Sequence, residues 1–331
     1  MRPNLFRFGT SELSQDAFLC WLLSWADDRC KSTNQILHGL GAKFIDAIYS
    51  KAKAQPPMQP LNIEIRKQEG GIDILCIVNG ESAVLIEDKV GTKQHSDQLP
   101  RYKDHVLSLG FSAEKAVPVY IQTGDQSDYG DVEKHGYAVV ERRDVLTVLE
   151  SPEGSAACKG SDIVFDFTSY LRQIENDVRS YATLPVANWS WNSWKGFYAG
   201  IQRELADGSW DYVPNASGGF LGFWWHWCGD AHCEQYLQLE QEKFCFKICV
   251  PDMPKRSELR GYWHRKIAWE GQKHGLKVKR PGRFGNGKFM TVAILDDDYR
   301  ITDRRGLLDL GETTSLIHRA EAVLDACVAS T

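Results

Sequence analysis

A chain of 331 residues is long enough for about two domains of roughly 150 residues, which excludes a single small stapled module. Its 43% hydrophobic and 25% charged residues exclude the disordered, collagenous and coiled-coil classes. The formal charge of −5 would argue against a nucleic-acid partner if it were spread evenly, but residues 251–290 carry eleven Lys/Arg against three acids, leaving 28 against 41 elsewhere.

Thr10 or Ser11 can cap a first helix running to about residue 28. The density of Leu13, Ala17, Phe18, Cys20, Trp21, Leu22 and Trp25 implies that it is mostly buried. Glu12, Asp16, Asp27 and Asp28 flank its apolar part too closely for a signal segment. A second helix is expected over 34–50. After a Pro-rich linker at 55–60 come three short strands, 61–67, 72–78 and 82–90, parted by Gly70-Gly71 and Asn79-Gly80 as a meander of hairpins. A helix over 94–109, strands over 116–123 and 136–140, and a long helix over 161–181 follow.

Pro185 comes after that helix, and nine of the eleven tryptophans lie between Trp189 and Trp269. A boundary is therefore expected at 182–187, dividing the chain into 1–184 and a Trp-rich α+β domain over 185–331. Within the latter, 219–227, 235–241 and 243–250 read as three antiparallel strands, 257–273 as a basic helix and 288–295 as a strand. Leu316, Ile317, Ala320, Val323, Leu324 and Cys327 recur at helical spacing in a docked terminal helix over 313–329. No stretch supplies the ~20 apolar residues of a membrane span, so no membrane partner is expected. Nine cysteines without framework spacing suit reduced thiols and a cytoplasmic setting.

Charge interrupts packing at one place. Ala83-Val84-Leu85-Ile86 is apolar on both faces, as in a central strand, and Glu87-Asp88-Lys89 then breaks it. Strand alternation sends Glu87 and Lys89 to one face and Asp88 to the other. On the preceding strand Asp73 interrupts Ile72 and Ile74, so hairpin pairing can gather Asp73, Glu87 and Lys89 in one patch. Two carboxylates beside an ammonium suit a hard divalent cation and a water; the plainer alternative is a strand-end ion pair.

Gly71-Ile72-Asp73 followed by Glu87-Asp88-Lys89 resembles the bipartite motif of the PD-(D/E)XK nuclease superfamily. Gln98-Leu99-Pro100-Arg101-Tyr102 is similar to the Gln-x-x-x-Tyr element of its RecB-like branch. The run from Ser11-Glu12 to Phe18 is similar to the first helix of a subgroup in which a glutamate joins the acidic site. The resemblance spans roughly residues 4–125 and departs from the name motif at Gly71-Ile72, where a proline would precede the acid. It implies an α/β, restriction-endonuclease-like αβββαβ core with a mixed central sheet, ahead of the C-terminal α+β domain with its antiparallel sheet.

It further implies Mg²⁺ or Mn²⁺ as cofactor, held by Asp73, Glu87 and the backbone carbonyl of Asp88. Lys89 would act on the attacking water, Glu12 would complete the site, and Gln98 and Tyr102 would position strand or nucleophile. DNA is the expected partner, with contacts from Arg260, Arg265, Lys266, Lys277, Lys279 and Arg280. For that basic run the bland reading is a solvated helix followed by a hairpin. Two other readings stand beside a deoxyribonuclease: a non-cleaving binding module, against which the intact Lys89 argues, and an RNA nuclease, since the motif addresses phosphates and not sugars. Self-association as a homo-oligomer is left open. A zinc site from His226, Cys228, His232 and Cys233 has suitable residue types but lacks the separated pairs of common structural sites. The tryptophans around them read mainly as core, with a base-stacking platform as the lesser reading.

Overall fold

The computed structural model describes residues 2–94, 97–215, 218–229 and 232–329; His95, whose place three residues before Gln98 suits either an extra acid-base group or a solvated side chain and which is not among the candidate site residues, lies outside them. The chain divides into two compact units, Met1–Asn176 and Asp177–Thr331, some residues before the change in composition.

The first unit is a three-layer α/β/α arrangement. Helices α1 (Glu12–Ser24) and α2 (Gln35–Lys51) precede strands β1 (Ile63–Glu69), β2 (Ile72–Val78) and β3 (Ser82–Lys89). Asn34 caps α2 by accepting the Ile36 and Leu37 N–H groups, each at 3.1 Å. The three strands form the expected antiparallel meander. Helix α3 (Gln98–Ser108) then crosses over to β4 (Ala116–Gln122), which lies parallel to β3, and β5 (Ala138–Glu141) is parallel to β4. The sheet order is β1-β2-β3-β4-β5, so β3 is central and all eight of its residues are buried.

Leu22, Phe44, Ile86, Val119 and Phe167 belong to one core, on the side of α1 and α2. Leu75, Leu85, Leu99, Tyr102 and Tyr120 belong to a smaller core on the α3 side. Two details correct the sequence reading. Leu13 is 62% exposed, because α1 turns its apolar stripe elsewhere. A short helix α4 (Gly130–Lys134) precedes β5, and residues 141–160, where no element is expected, form α5 (Arg142–Leu149) and α6 (Pro152–Gly160), too short for periodicity to reveal. The long helix is α7 (Asp162–Arg179).

The second unit begins with α8 (Trp191–Leu205), hidden in the sequence among tryptophans, and an edge strand β6 (Ser209–Val213). Strands β7 (Phe220–Gly229), β8 (Glu234–Glu240), β9 (Lys243–Cys249), β10 (Val278–Lys279) and β11 (Phe289–Leu295) complete a six-stranded sheet of order β10-β11-β9-β8-β7-β6, antiparallel at every pairing. Helix α9 (Arg256–Lys273) and the terminal α10 (Leu310–Ala329) join α8 in its core, where Phe197, Trp263, Ile267 and Ile317 meet Phe223, Leu237 and Phe246 of the strands. No described helix is long and apolar enough to cross a membrane.

Candidate active site

Side-chain alternation along β3 sets out the site. Ala83 and Leu85 enter the α3-side core, so Glu87 and Lys89 continue that face. Val84 and Ile86 enter the α1-side core, and Asp88 follows them. Ile74 of β2 pairs with Ile86, which brings Asp73 alongside Glu87, and Asp73 Oδ2 accepts the Asp88 N–H at 2.9 Å.

Lys89 Nζ lies 2.5 Å from Glu87 Oε1, 3.6 Å from Asp73 Oδ2 and 3.9 Å from Glu12 Oε2. It also donates to the Asp88 carbonyl at 3.0 Å. Four oxygens from three elements thus surround one ammonium that is only 6% exposed. Glu12 arrives from the first turn of α1, where its Oε1 accepts from Thr92 Oγ1 at 2.5 Å and from the Val90 N–H at 3.4 Å.

Burial pushes Glu87 up to about 7, with Asp73 adding to the shift and Lys89 opposing it. Burial alone would lower Lys89, but Glu87, Asp73 and Glu12 outweigh it and hold the ammonium above its ordinary value. Gln98 opens α3, and Tyr102 is buried one turn later. Burial raises the Tyr102 phenol, and the nearby Glu87 and Asp73 charges raise it further. Gly71 lies beside that ring with φ of 87°, a left-handed backbone conformation that favours glycine.

A second polar cluster lies behind the strand. The buried Asp88 carboxyl accepts from Gln15 Nε2 at 2.7 Å, and Gln15 Oε1 accepts from the Thr123 hydroxyl at 2.6 Å. Asp16 shares this pocket, with Lys67 Nζ 3.6 Å away. Burial raises both Asp16 and Asp88, and each is raised further by a neighbouring carboxylate. Gln15, Asp16, Thr92 and Thr123 are absent from the sequence-derived site. Their one signal there is a pair of polar residues, Gln15-Asp16, inside a helix otherwise read as buried.

A divalent cation fits the donor set on β2, β3 and α1. All the oxygens are hard ligands, Glu87 Oε2 is buried without a hydrogen-bond partner, and the ammonium already holds a cation's position among them. Among the described residues no three His, Cys, Asp or Glu groups are drawn into a metal cage, since the carboxylates ring Lys89. Of the set around Trp227, His226 Nε2 pairs with Asp325 at 2.8 Å, Cys228 bonds the Gln235 carbonyl and Cys233 Sγ meets Gln235 Nε2.

The basic residues of α9 and the β10–β11 connection are placed unequally. Arg260 donates to the Gly285 carbonyl at 2.6 Å and Lys266 to the Tyr262 hydroxyl at 3.0 Å. Lys279 pairs with Asp296 at 2.9 Å, and Arg280 lies 4.3 Å over the Phe284 ring. Arg265 and Lys277 are exposed.

The sequence model of the PD-(D/E)XK nuclease superfamily matches residues 3–178, more than half of the chain, including the whole mixed sheet and every residue of the acidic cluster. No curated protein and no solved structure matches. The expected mixed α/β architecture and the matched segment coincide, and the chain belongs to the PD-(D/E)XK nuclease superfamily.

Proposed function

We propose that the protein is a deoxyribonuclease that hydrolyses phosphodiester bonds at the Glu12, Asp73, Glu87 and Lys89 cluster with Mg²⁺ or Mn²⁺. The observation that carries this reading is the all-oxygen nest around Lys89 Nζ, at distances from 2.5 to 3.9 Å. Asp73, Glu87 and the Asp88 carbonyl would hold the ion, which when bound supplies Lewis-acid charge and an acidified water. Lys89 orients the attacking water and offsets charge developing on the phosphoryl oxygens. Glu12, fixed by Thr92, completes the acidic set. Gln98 and Tyr102, one turn apart on α3, position the strand or the nucleophile. Arg260, Arg265, Lys266, Lys277, Lys279 and Arg280 supply charge for phosphates.

The test is incubation of purified protein with supercoiled, linear and single-stranded DNA, and with RNA, each with Mg²⁺, Mn²⁺ or EDTA. Divalent-dependent DNA cleavage that disappears in Lys89→Ala is expected. Cleavage in EDTA, or wild-type cleavage by Lys89→Ala, overturns the assignment. Cleavage of RNA alone would move the substrate to ribonucleic acid, and binding without cleavage would favour the non-cleaving module.

A further inference from the structure

Beyond the acidic cluster, the second unit has a sheet face that its helices leave open. In β8, Leu237 and Leu239 enter the core beneath the helices, and Tyr236 points the other way. In β7, Trp225 is buried in the same core, so regular alternation would send Trp227 after it. A bulge between Trp225 and Cys228 prevents this. His226 adopts a left-handed conformation, with φ of 54°. It is pinned there by its N–H to Asp207 Oδ2 at 3.1 Å and by its Nε2 to Asp325 Oδ1 at 2.8 Å. A non-glycine residue held in this strained region, with two partners enforcing it, re-aims the next side chain.

The consequence is an aromatic row on the open face. Trp227 stacks on Tyr236 with centroids 4.1 Å apart and planes 11° from parallel, while Phe289 of β11 meets Tyr236 edge-on at 6.3 Å. Tyr236 is buried beneath, but Trp227 is 48% and Phe289 53% exposed. Lys288 Nζ sits 5.3 Å from the Phe289 ring, and the chain leads directly from it into the basic connection before β11. There Arg280, Arg283 and Lys288 form no ion pair among the described residues. The backbone N–H groups of residues 282–287 likewise donate no hydrogen bond among the described residues, while Arg256 and Arg260 hold the Asn286 and Gly285 carbonyls. Open π-faces therefore adjoin uncompensated cations and vacant amide donors.

We propose that this face binds a single strand of nucleic acid, with unpaired bases stacked on Trp227 and Phe289 and the phosphates running along Lys288, Arg283 and the adjacent amides. A duplex keeps its bases stacked on each other and offers no ring to these side chains, whereas every unpaired base does. The complementary charge selects a polyanion over an apolar protein partner. The inference rests on the reading of the protein as acting on nucleic acid, and it makes the second unit a binder of unpaired segments.

The test is fluorescence anisotropy with a labelled dT 20-mer and a blunt 20-base-pair duplex, in EDTA so that no cleavage occurs. Trp227→Ala combined with Phe289→Ala is expected to weaken single-strand binding at least about tenfold, and duplex binding by less than about twofold. Trp227→Phe, which keeps a ring, should retain most of the affinity. Arg283→Gln combined with Lys288→Gln should weaken single-strand binding and flatten its salt dependence. Circular dichroism of each variant establishes that it is folded, and the double charge variant tests the face should the aromatic pair fail to fold. Unchanged single-strand affinity, or equal losses on both probes, overturns the proposal; so does unchanged affinity with lost self-association in sedimentation, which would assign the face to a second copy. Cleavage is not read, so the catalytic assignment can fail while this one holds, and the reverse.

Discussion

Lys89 illustrates how placement changes the meaning of a residue. As a strand-end ammonium it would contribute about 0–1 kcal/mol. Buried 2.5 Å from Glu87 and flanked by Asp73 and Glu12, it is the counter-charge of the whole acidic set. Lys89→Ala is expected to abolish cleavage and to destabilise the metal-free protein by about 3 kcal/mol, read by urea denaturation, because it leaves buried carboxylates uncompensated. A fully stable alanine variant would show that the pair carries no such energy. Asp73→Asn and Glu87→Gln should each weaken Mn²⁺ binding strongly in calorimetry, and unchanged affinity in both would refute their ligand roles.

Asp27 has a different task. It accepts from the Arg29 side chain and from the Ile63 N–H at 2.8 Å, joining the end of α1 to the start of β1. Arg29 first, and the backbone donors after it, hold its carboxyl down at about 2. A carboxyl lowered on folding stabilises above its unfolded value, near 3.9, and loses that contribution as pH falls from about 4 through 2. Wild-type stability should therefore decline by about 1–2 kcal/mol over that window beyond the decline shown by Asp27→Asn; parallel curves would contradict it.

Among the elements, the β1–β2 turn shows how a backbone requirement reaches the site. Gly70 has φ of 61°, and a Cβ there would meet the His105 ring of α3 at 2.4 Å. Gly70→Ala therefore combines left-handed strain of about 1–2 kcal/mol with a clash against the helix that carries Gln98 and Tyr102. Chemical denaturation should show a loss of about 2–4 kcal/mol, and activity should fall with it, since Asp73 lies three residues away. A neutral alanine variant would mean that the His105 ring swings aside without cost. The Gln15 link from α1 to Asp88 works in the same way: it fastens the helix that brings Glu12 to the strand that carries Glu87.

For the molecule as a whole, charge is segregated. The 251–290 segment is cationic inside an anionic chain, so nucleic-acid affinity should fall steeply with salt although the net charge is −5. Each phosphate contact removed takes about 0.9 from the slope of log K against log salt. Arg265→Gln with Lys277→Gln is the cleaner pair for this measurement, because Arg260 and Lys266 also hold Gly285 and Tyr262. An unchanged slope would return these residues to the role of a solvated face that keeps the protein in solution.

The meander, the central strand and the Asp73, Glu87, Lys89 patch were legible in the sequence because they depend on local rules: period-two alternation, glycine turns and charge breaking an apolar run. The docked terminal helix was legible through its 3.6-residue spacing. Four features depended on contacts between residues far apart in the chain and so on tertiary structure alone. These are the Thr92 clasp on Glu12, the Gln15–Asp88–Thr123 bridge, the exposure of Leu13 and the oxygen nest around Lys89. The bulge at His226 belongs with them, because it reverses the side-chain alternation that a strand pattern takes for granted and turns Trp227 from the core to the open face. Periodicity reports which face an ideal element would bury; only the packed fold decides where that ideality is broken and which distant group meets the residue there.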